Sequence, residues 1–248
     1  MKSPLSSLMV RKMIRAEHLT KKYKNLTAVD DLSLTLNDDS LYALLGTNGA
    51  GKTTTIKMLS TLITPTSGKI YYDDYSLPKD TQTVREFINL SPQETAIAAN
   101  LSVKENLEFM AGVYGIQDKN RINYLVEKFH LDEVLKQKAS TLSGGWQRKL
   151  SIALSLINKP KILFLDEPTL GLDVIARKEL WNVIEGLKKE MLIILTTHYM
   201  EEAEELADQV GIIAHGKLIT QGTVSELLKQ TKTTKLEDAF VKLVMEEK

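Results

Sequence analysis

Hydrophobic and polar residues alternate over residues 29–36, where Val29, Leu32, Leu34 and Leu36 supply the apolar positions. This alternation is typical of a β-strand with one buried face. Residues 37–39 then give a turn signal, and an apolar run follows at residues 41–45. The pattern is strand, turn, strand, and it predicts that an antiparallel β region opens the domain.

The spacing becomes helical after a glycine-rich stretch at residues 46–53. Apolar residues recur at helical intervals over residues 54–62, which predicts a helix directly after that stretch. A further strand is predicted at residues 69–72. Residues 102–135 predict a wholly helical segment, which begins with the capping pattern Ser102-x-x-Glu105.

The second half of the chain returns to strands of the buried, parallel type. Apolar runs at residues 162–165 and 192–195 enclose an amphipathic segment at residues 174–189, which predicts strand, helix, strand. A hairpin is expected at residues 211–220 with His215-Gly216 at its turn, and two helices follow. The pattern as a whole predicts an α/β fold with a mixed central sheet.

Composition and charge exclude several classes of protein. The 248 residues are 43% hydrophobic, which is enough for a substantial buried core. Lys and Arg number 32 and Asp and Glu number 32, so the net charge of zero provides no field to hold nucleic acid. The absence of cysteine excludes disulfides, thiolate metal sites and a cysteine nucleophile.

The hydropathy pattern shows no membrane-spanning segment. No apolar run approaches the roughly 20 residues that cross a bilayer as a helix. Residues 1–12 lack an uninterrupted apolar stretch and a cleavage site for secretion, so they are interpreted as an N-terminal extension.

The glycine-rich stretch carries the first chemical motif, G-x-x-x-x-G-K-[ST], between a predicted strand and a predicted helix. Its backbone N–H groups and the helix N-terminus suit a phosphate group, with Lys52 at the β and γ phosphates and the Thr53 hydroxyl on Mg²⁺. The residues expected to bind nucleotide here are Gly46, Thr47, Asn48, Gly49, Ala50, Gly51, Lys52, Thr53 and Thr54.

A second motif ends the strand at residues 162–165 with two carboxylates, Asp166 and Glu167. Ligands of open α/β sheets bind at the carboxyl ends of parallel strands. Asp166 suits a second anchor for Mg²⁺, and Glu167 suits polarisation of the water that attacks the γ-phosphate.

A third motif, Leu142-Ser143-Gly144-Gly145, precedes an apolar helix. Ser143 is a typical N-cap, and the two glycines allow a phosphate to approach the backbone closely. Taken alone, the motif is described better as an ordinary capped helix.

The order of these motifs resembles the ATP-binding subunit of an ATP-binding cassette (ABC) transporter, over nearly the whole chain after residue 12. Further elements of that resemblance stand in the family's order, namely Tyr23, Gln93 in Ser91-Pro92-Gln93, Asp173 in Pro168-Thr169-Leu170-Gly171-Leu172-Asp173, and His198 in Thr196-Thr197-His198. One departure is Trp146, which stands where the family's signature usually continues with Gln. Any polar contact that Gln makes there is therefore in doubt, and Trp146 is expected to pack against the helical subdomain.

The resemblance implies a role for each of these residues. It implies that Tyr23 stacks on adenine and that Gln93 contacts both Mg²⁺ and the attacking water. It also implies that Asp173 lies in the loop joining two ATP sites and that His198 holds the γ-phosphate. The residues alone leave plainer alternatives open, namely a surface aromatic, a loop amide, a helix N-cap and a strand-end histidine.

The fold that the resemblance implies is the ABC ATPase form of the P-loop NTPase fold, with an antiparallel β subdomain and a helical subdomain. The expected domain spans residues 13–220, with its helical subdomain at about residues 95–158, and a C-terminal helical segment follows at residues 221–248.

The implied activity is ATP hydrolysis with Mg²⁺, in which two subunits bind ATP between them head to tail. The second subunit is either a copy of this chain or a paired ABC subunit. A separate integral membrane permease is the implied partner, with residues 94–103 as the candidate docking segment. The expected location is peripheral, at the cytoplasmic face of the cell membrane, and export is the favoured direction.

Two other classes of function remain as alternatives. A soluble ABC-type ATPase would act without a transporter, but the chain shows no coiled coil, second cassette or basic surface. A P-loop kinase would share the phosphate loop but has no need of Ser143-Gly144-Gly145 or Asp173.

Overall fold

The computed structural model describes residues 13–37 and 40–246, which form two β-sheets and a set of helices. The expected extension at residues 1–12 therefore lies outside the described residues. The four-stranded sheet is antiparallel and has the order β2-β1-β4-β5. Its strands are β1 (Ile14–Tyr23), β2 (Leu26–Leu36), β4 (Ser67–Tyr72) and β5 (Tyr75–Leu77).

The six-stranded sheet is mixed and has the order β10-β9-β3-β8-β7-β6. Its strands are β3 (Leu41–Leu45), β6 (Ile88–Ser91), β7 (Ile162–Asp166), β8 (Leu192–Thr197), β9 (Gln209–Ala214) and β10 (Lys217–Gly222). All neighbouring pairs from β9 to β6 are parallel, and only β10 pairs antiparallel, with β9. The predicted mixed sheet and the hairpin at its edge are confirmed.

The predicted helices are present, but the expectation that residues 102–135 are wholly helical is wrong, because residues 114–118 interrupt the segment between its two α-helices. Two short helices, at Thr81–Arg85 and Met200–Leu206, were not predicted. The helices are α1 (Lys52–Leu59), α2 (Thr81–Arg85), α3 (Val103–Val113), α4 (Lys119–Lys128), α5 (Gly144–Ser155), α6 (Val174–Lys188), α7 (Met200–Leu206), α8 (Val224–Thr231) and α9 (Leu236–Glu246). Short 3-10 helices lie at Leu131–Val134 and Ala139–Thr141. The capping box at Ser102 and Glu105 is confirmed, because each side chain accepts a hydrogen bond from the other residue's backbone N–H. No helix of the described ranges is long and apolar enough to cross a bilayer.

One element belongs to a different sheet from the one expected. The prediction that residues 41–45 form part of the opening antiparallel region is wrong, because β3 lies in the six-stranded sheet between β8 and β9. The reason is burial on both faces, since all five residues of β3 are buried. Leu41 faces one hydrophobic cluster and Tyr42 faces the other, as expected for a central parallel strand.

The parallel sheet brings four distant segments of the chain to one edge. The strands β3, β8, β7 and β6 are neighbours and run in the same direction, so their carboxyl ends meet. The glycine-rich loop follows β3, His198 follows β8, and Gln93 lies two residues after β6. Asp166 ends β7 itself.

Candidate active site

The glycine-rich loop joins β3 to α1 and borders a cavity of about 730 Å³. Gly51 sits at φ 105°, and a Cβ atom there would lie 2.6 Å from the carbonyl oxygen of Ala28, so only glycine fits. Six of the predicted residues line the cavity: Asn48, Gly49, Gly51, Lys52, Thr53 and Thr54. Gly46, Thr47 and Ala50 belong to the same loop but do not line the cavity.

Lys52 is held in a buried ion pair at the start of α1. Its Nζ lies 3.0 Å from Oε1 of Glu167, and the two side chains are only 5% and 6% exposed. Nζ also donates to the carbonyl oxygens of Gly46 and Thr47, at 2.8 and 3.1 Å. The ammonium therefore has three oxygen partners within the loop and the strand end.

Glu167 joins Lys52 to His198. Its second oxygen, Oε2, lies 2.6 Å from Nδ1 of His198. The backbone of Glu167 has φ 49°, a left-handed conformation that costs a non-glycine residue about 1–2 kcal/mol. Its N–H donates to Oγ1 of Thr196 at 3.0 Å, which fixes this turn beside β8. Both carboxylate oxygens are thus engaged by groups that also suit a phosphate.

Asp166 lies beside Thr53, as a shared cation site requires. Oδ1 of Asp166 accepts hydrogen bonds from Oγ1 of Thr53 at 3.0 Å and from Oγ1 of Thr196 at 2.6 Å. Across the described ranges, no group of three or more His, Asp and Glu side chains could hold a metal by itself. This arrangement fits Mg²⁺, which usually takes one or two carboxylates together with phosphate and water oxygens.

Gln93 lies at the cavity, whereas Tyr23 lies outside it. Gln93 lines the cavity, together with Lys52, Glu167 and His198. Tyr23 ends β1 and is 44% exposed, with its ring 5.3 Å from Nζ of Lys21, but it does not line the cavity. The position of Tyr23 is thus that of a surface aromatic in the described structure.

Ser143, Gly144 and Gly145 form the start of α5, away from the cavity that this chain's own loop borders. Oγ of Ser143 accepts from the N–H of Trp146 at 3.5 Å, so Ser143 is the predicted N-cap. Asp173 caps α6 by accepting from the N–H groups of residues 175 and 176, and it does not line the cavity either.

The starts of α5 and α6 lie against each other. A Cβ atom on Gly145 would lie 3.1 Å from Cβ of Ala176, so glycine allows this close approach. Trp146 is half-buried and packs against the main hydrophobic cluster, with Nζ of Lys149 4.5 Å from its ring. Trp146 therefore packs against the protein interior, as expected for a large aromatic at this position.

Several contributors to the site were not singled out from the sequence. The turn residue Gly216 donates its N–H to the carbonyl of Ala50 at 3.0 Å and lines the cavity. His215-Gly216 was recognised as a turn, but a turn signal does not show which loop it contacts. The segment Leu26, Thr27 and Ala28 also lines the cavity and carries no chemical motif.

Glu202, on α7, is a further buried carboxylate close to the site. It is fully buried, and its Oε1 accepts from Oγ1 of Thr169 at 2.8 Å and from Nε1 of Trp181 at 3.0 Å. Burial raises the pKa of Glu202, and the charge of Glu167 adds to this effect. Its helical spacing with the buried Ala203 and Leu206 is the one sequence signal that places Glu202 on an inward face.

Comparisons with known proteins agree with this geometry. A family model described as "ABC transporter" matches residues 29–170. The chain is 35% identical over 241 residues to the "Probable multidrug ABC transporter ATP-binding protein YbhF" of Escherichia coli (strain K12), covering 94% of this chain. It is 39% identical over 219 residues to the "Linearmycin resistance ATP-binding protein LnrL" of Bacillus subtilis (strain 168), covering 87% of this chain and 70% of LnrL.

The fold has a close match among solved structures. A structure described as "Structure of ATP binding subunit of ABC transporter" aligns with a TM-score of 0.82 at 28% identity, over 93% of this chain and 99% of that chain. The predicted ABC ATPase fold is therefore confirmed. The chain spans only 42% of the length of YbhF.

Proposed function

This chain belongs to the ABC transporter family, and on that premise we propose that it binds and hydrolyses ATP and thereby drives a separate membrane permease. The relatives YbhF and LnrL are both described as ATP-binding proteins, which supports this proposal. The cavity beside the glycine-rich loop is of a size typical of ligand sites, at about 730 Å³.

The phosphates of ATP bind the loop at residues 46–54, where backbone N–H groups and the N-terminus of α1 favour negative charge. Thr53, Asp166 and Gln93 hold Mg²⁺, which when bound neutralises charge on the phosphates. Tyr23 stacks on adenine from the end of β1, its ring being 44% exposed and available.

Glu167 competes with phosphate for its own partners. Its oxygens contact Nζ of Lys52 at 3.0 Å and Nδ1 of His198 at 2.6 Å. A γ-phosphate attracts the Lys52 ammonium and the His198 ring, so it competes with Glu167 for these two groups. Once released, Glu167 accepts the proton of the attacking water as a general base, while Lys52 and His198 stabilise charge on the phosphate.

A single observation carries the proposal that two subunits complete each site. Ser143, Gly144 and Gly145 suit a phosphate, yet they do not line the cavity of their own chain. Beside them, Val174 and Ile175 at the start of α6 are 66% and 73% exposed. In a head-to-tail pair these residues are covered, and the start of α5 in one chain reaches the nucleotide held by the other.

Mixed dimers of two inactive variants test this arrangement. Lys52→Ala removes the phosphate contact, and Ser143→Arg blocks the start of α5. A homodimer of either variant therefore has no working site. A mixed dimer of the two keeps one site with both halves intact. We expect ATPase activity to return when the variants are co-expressed with different tags and purified as a pair. No recovery in a stable mixed pair would contradict sites shared between chains.

The permease is proposed to dock beside the Gln93 loop. Within the expected segment 94–103, Ile97 is partly buried against the core, so it is not an exposed contact. The exposed apolar side chains lie instead on the adjacent α3 and at its end, where Phe109, Val113 and Tyr114 are 60%, 63% and 43% exposed. We therefore include this α3 surface in the docking site.

Copurification tests the docking site and the location at the cytoplasmic face of the membrane. Phe109→Glu is expected to reduce recovery of the chain with its permease from gently solubilised membranes. Val241→Glu, on the 47%-exposed Val241 of α9, is a matched control that should not change recovery. Equal recovery of both variants would contradict docking on α3. The descriptions "multidrug" and "resistance" among the relatives support export as the direction of transport.

A further inference from the structure

Helix α5 holds the loop that carries Gln93. On Arg148, one guanidinium nitrogen donates to the carbonyl oxygen of Pro92 at 2.7 Å, and the other donates to that of Gln93. One turn later, Oγ of Ser151 lies 3.3 Å from Oγ of Ser91 and accepts from the N–H of Ala96 at 3.4 Å. Both ends of this loop are therefore hydrogen-bonded to α5.

Arg148 makes the most rigid of these contacts. The residue is only 5% exposed, and its planar guanidinium binds two consecutive carbonyl groups at a fixed spacing. Burial lowers the pKa of Arg148, while the charges of Asp166 and Glu202 oppose that shift, so the site keeps the residue cationic. A movement of the loop backbone must therefore carry Arg148 with it or break both hydrogen bonds.

The start of α5 faces outward. The helix begins at Gly144, one turn before Arg148, and Gly145 packs against Ala176 of α6. In the proposed dimer this helix start contacts the nucleotide of the partner. One rigid helix thus touches the Gln93 loop of its own site and the phosphate of the second site.

We propose that Arg148 is a positioning residue that couples the two nucleotide sites, by fixing the start of α5 to the Gln93 loop of the same chain. This inference rests on the proposed head-to-tail dimer. ATP at one chain's own loop sets the position of Gln93, and Arg148 transmits that position to the helix start that the partner's ATP requires. Because coupling between sites is reciprocal, the partner's ATP acts on the Gln93 loop in the same way.

The test separates coupling from binding. Arg148→Met removes both donors, and Arg148→Lys keeps the charge without the planar fork. As monomers, both variants should bind a fluorescent ATP analogue with an affinity within about twofold of that of wild type. Binding at one coupled site typically changes the affinity of the other by about 5- to 150-fold. If the variants lose this coupling, the Hill coefficient of their ATPase activity should fall towards 1.

Arg121 offers a matched control at the other end of the same helix. It also donates from a guanidinium nitrogen to a backbone carbonyl, that of Leu156, and burial also lowers its pKa. Arg121→Met should reduce the melting temperature yet leave the Hill coefficient at its wild-type value, because Arg121 does not contact the Gln93 loop.

The outcomes distinguish this inference from the proposed function. A cooperative wild type with Arg148 variants of unchanged Hill coefficient would overturn the coupling role alone. A wild type that neither dimerises with ATP nor shows cooperativity would overturn both. If circular dichroism shows that Arg148→Met does not fold, the Hill coefficient of Arg148→Lys decides whether Arg148 couples the sites.

Discussion

Glu167→Gln removes the buried ion pair with Lys52 at the centre of the site, and its effect on stability should depend on nucleotide. The side chain of Glu167 is 6% exposed and balances the charge of Lys52, which is 5% exposed. Glutamine has the same shape but no charge, so the variant leaves the Lys52 ammonium buried with neutral oxygen partners only, among them the carbonyl groups of Gly46 and Thr47.

The magnitude follows from the geometry. At an effective dielectric constant of about 20, unit charges 3.0 Å apart attract by about 5–6 kcal/mol, before the desolvation of Glu167 is subtracted. Removing one partner of a buried pair typically costs about 3–5 kcal/mol, and the remaining oxygen partners of Lys52 reduce this to about 2 kcal/mol. At about 2–4 °C per kcal/mol for a chain of this length, the melting temperature should fall by about 4–8 °C.

ATP should reverse this penalty, because a phosphate group takes over the charge of Lys52. Wild type must first separate Lys52 from Glu167, whereas the variant does not. A difference of about 2 kcal/mol corresponds to roughly 30-fold tighter binding by Glu167→Gln. A non-hydrolysable ATP analogue with Mg²⁺ should therefore raise the melting temperature of the variant more than that of wild type.

Differential scanning fluorimetry with and without the analogue measures both effects. Glu179→Gln is a matched control, since Glu179 lies 2.7 Å from Lys149, which is 7% exposed, but outside the site. Because Glu179 itself is 55% exposed, its loss should lower the melting temperature less and leave the analogue-induced shift unchanged. Two results together would contradict this prediction: equal melting temperatures of Glu167→Gln and wild type without nucleotide, and an equal increase of both with the analogue.

Three further changes have defined outcomes. Gly145→Ala brings a methyl group 3.1 Å from Cβ of Ala176, so we expect ATPase activity to fall while monomeric ATP binding, measured by fluorescence titration, is retained. Tyr23→Ala should weaken ATP binding by about 1–2 kcal/mol, or roughly 5- to 30-fold, whereas Tyr23→Phe should not. Because burial raises the pKa of Glu202, its charged form destabilises the fold above its unfolded pKa of about 4.3. Melting curves recorded as the pH falls towards about 4.3 should therefore show wild type gaining stability relative to Glu202→Gln.

The site was predictable where its chemistry is local. The spacing of Gly46, Gly51 and Lys52 between a strand and a helix defines a phosphate loop without any long-range information. The same holds for Ser143 and Asp173, whose capping contacts involve residues two or three positions away.

The sheet to which β3 belongs was not predictable from the turn signal that precedes it in the sequence. A turn signal between two apolar segments favours a hairpin, yet β2 alternates buried and exposed residues while β3 is buried throughout. A strand buried on both faces belongs in the middle of a sheet, so the burial pattern outweighs the turn signal.

Long-range pairs were also beyond the sequence. The sequence assigns Lys52 and Glu167 separate tasks on ATP, but their mutual ion pair depends on the register of β3, β8 and β7. Arg148 bonds backbone carbonyls of a loop 55 and 56 residues away, and a backbone acceptor leaves no trace in the identity of the residue.

The mass of Glu167→Gln in solution tests the shared site most directly. With excess ATP and Mg²⁺, light scattering after size exclusion should give twice the 27.8 kDa monomer mass, and the dimer should return to monomer when nucleotide is removed. Adding Ser143→Arg to the same chain should prevent the dimer without preventing ATP binding. A particle of 27.8 kDa with ATP bound would contradict the proposal that two chains hold the nucleotide between them.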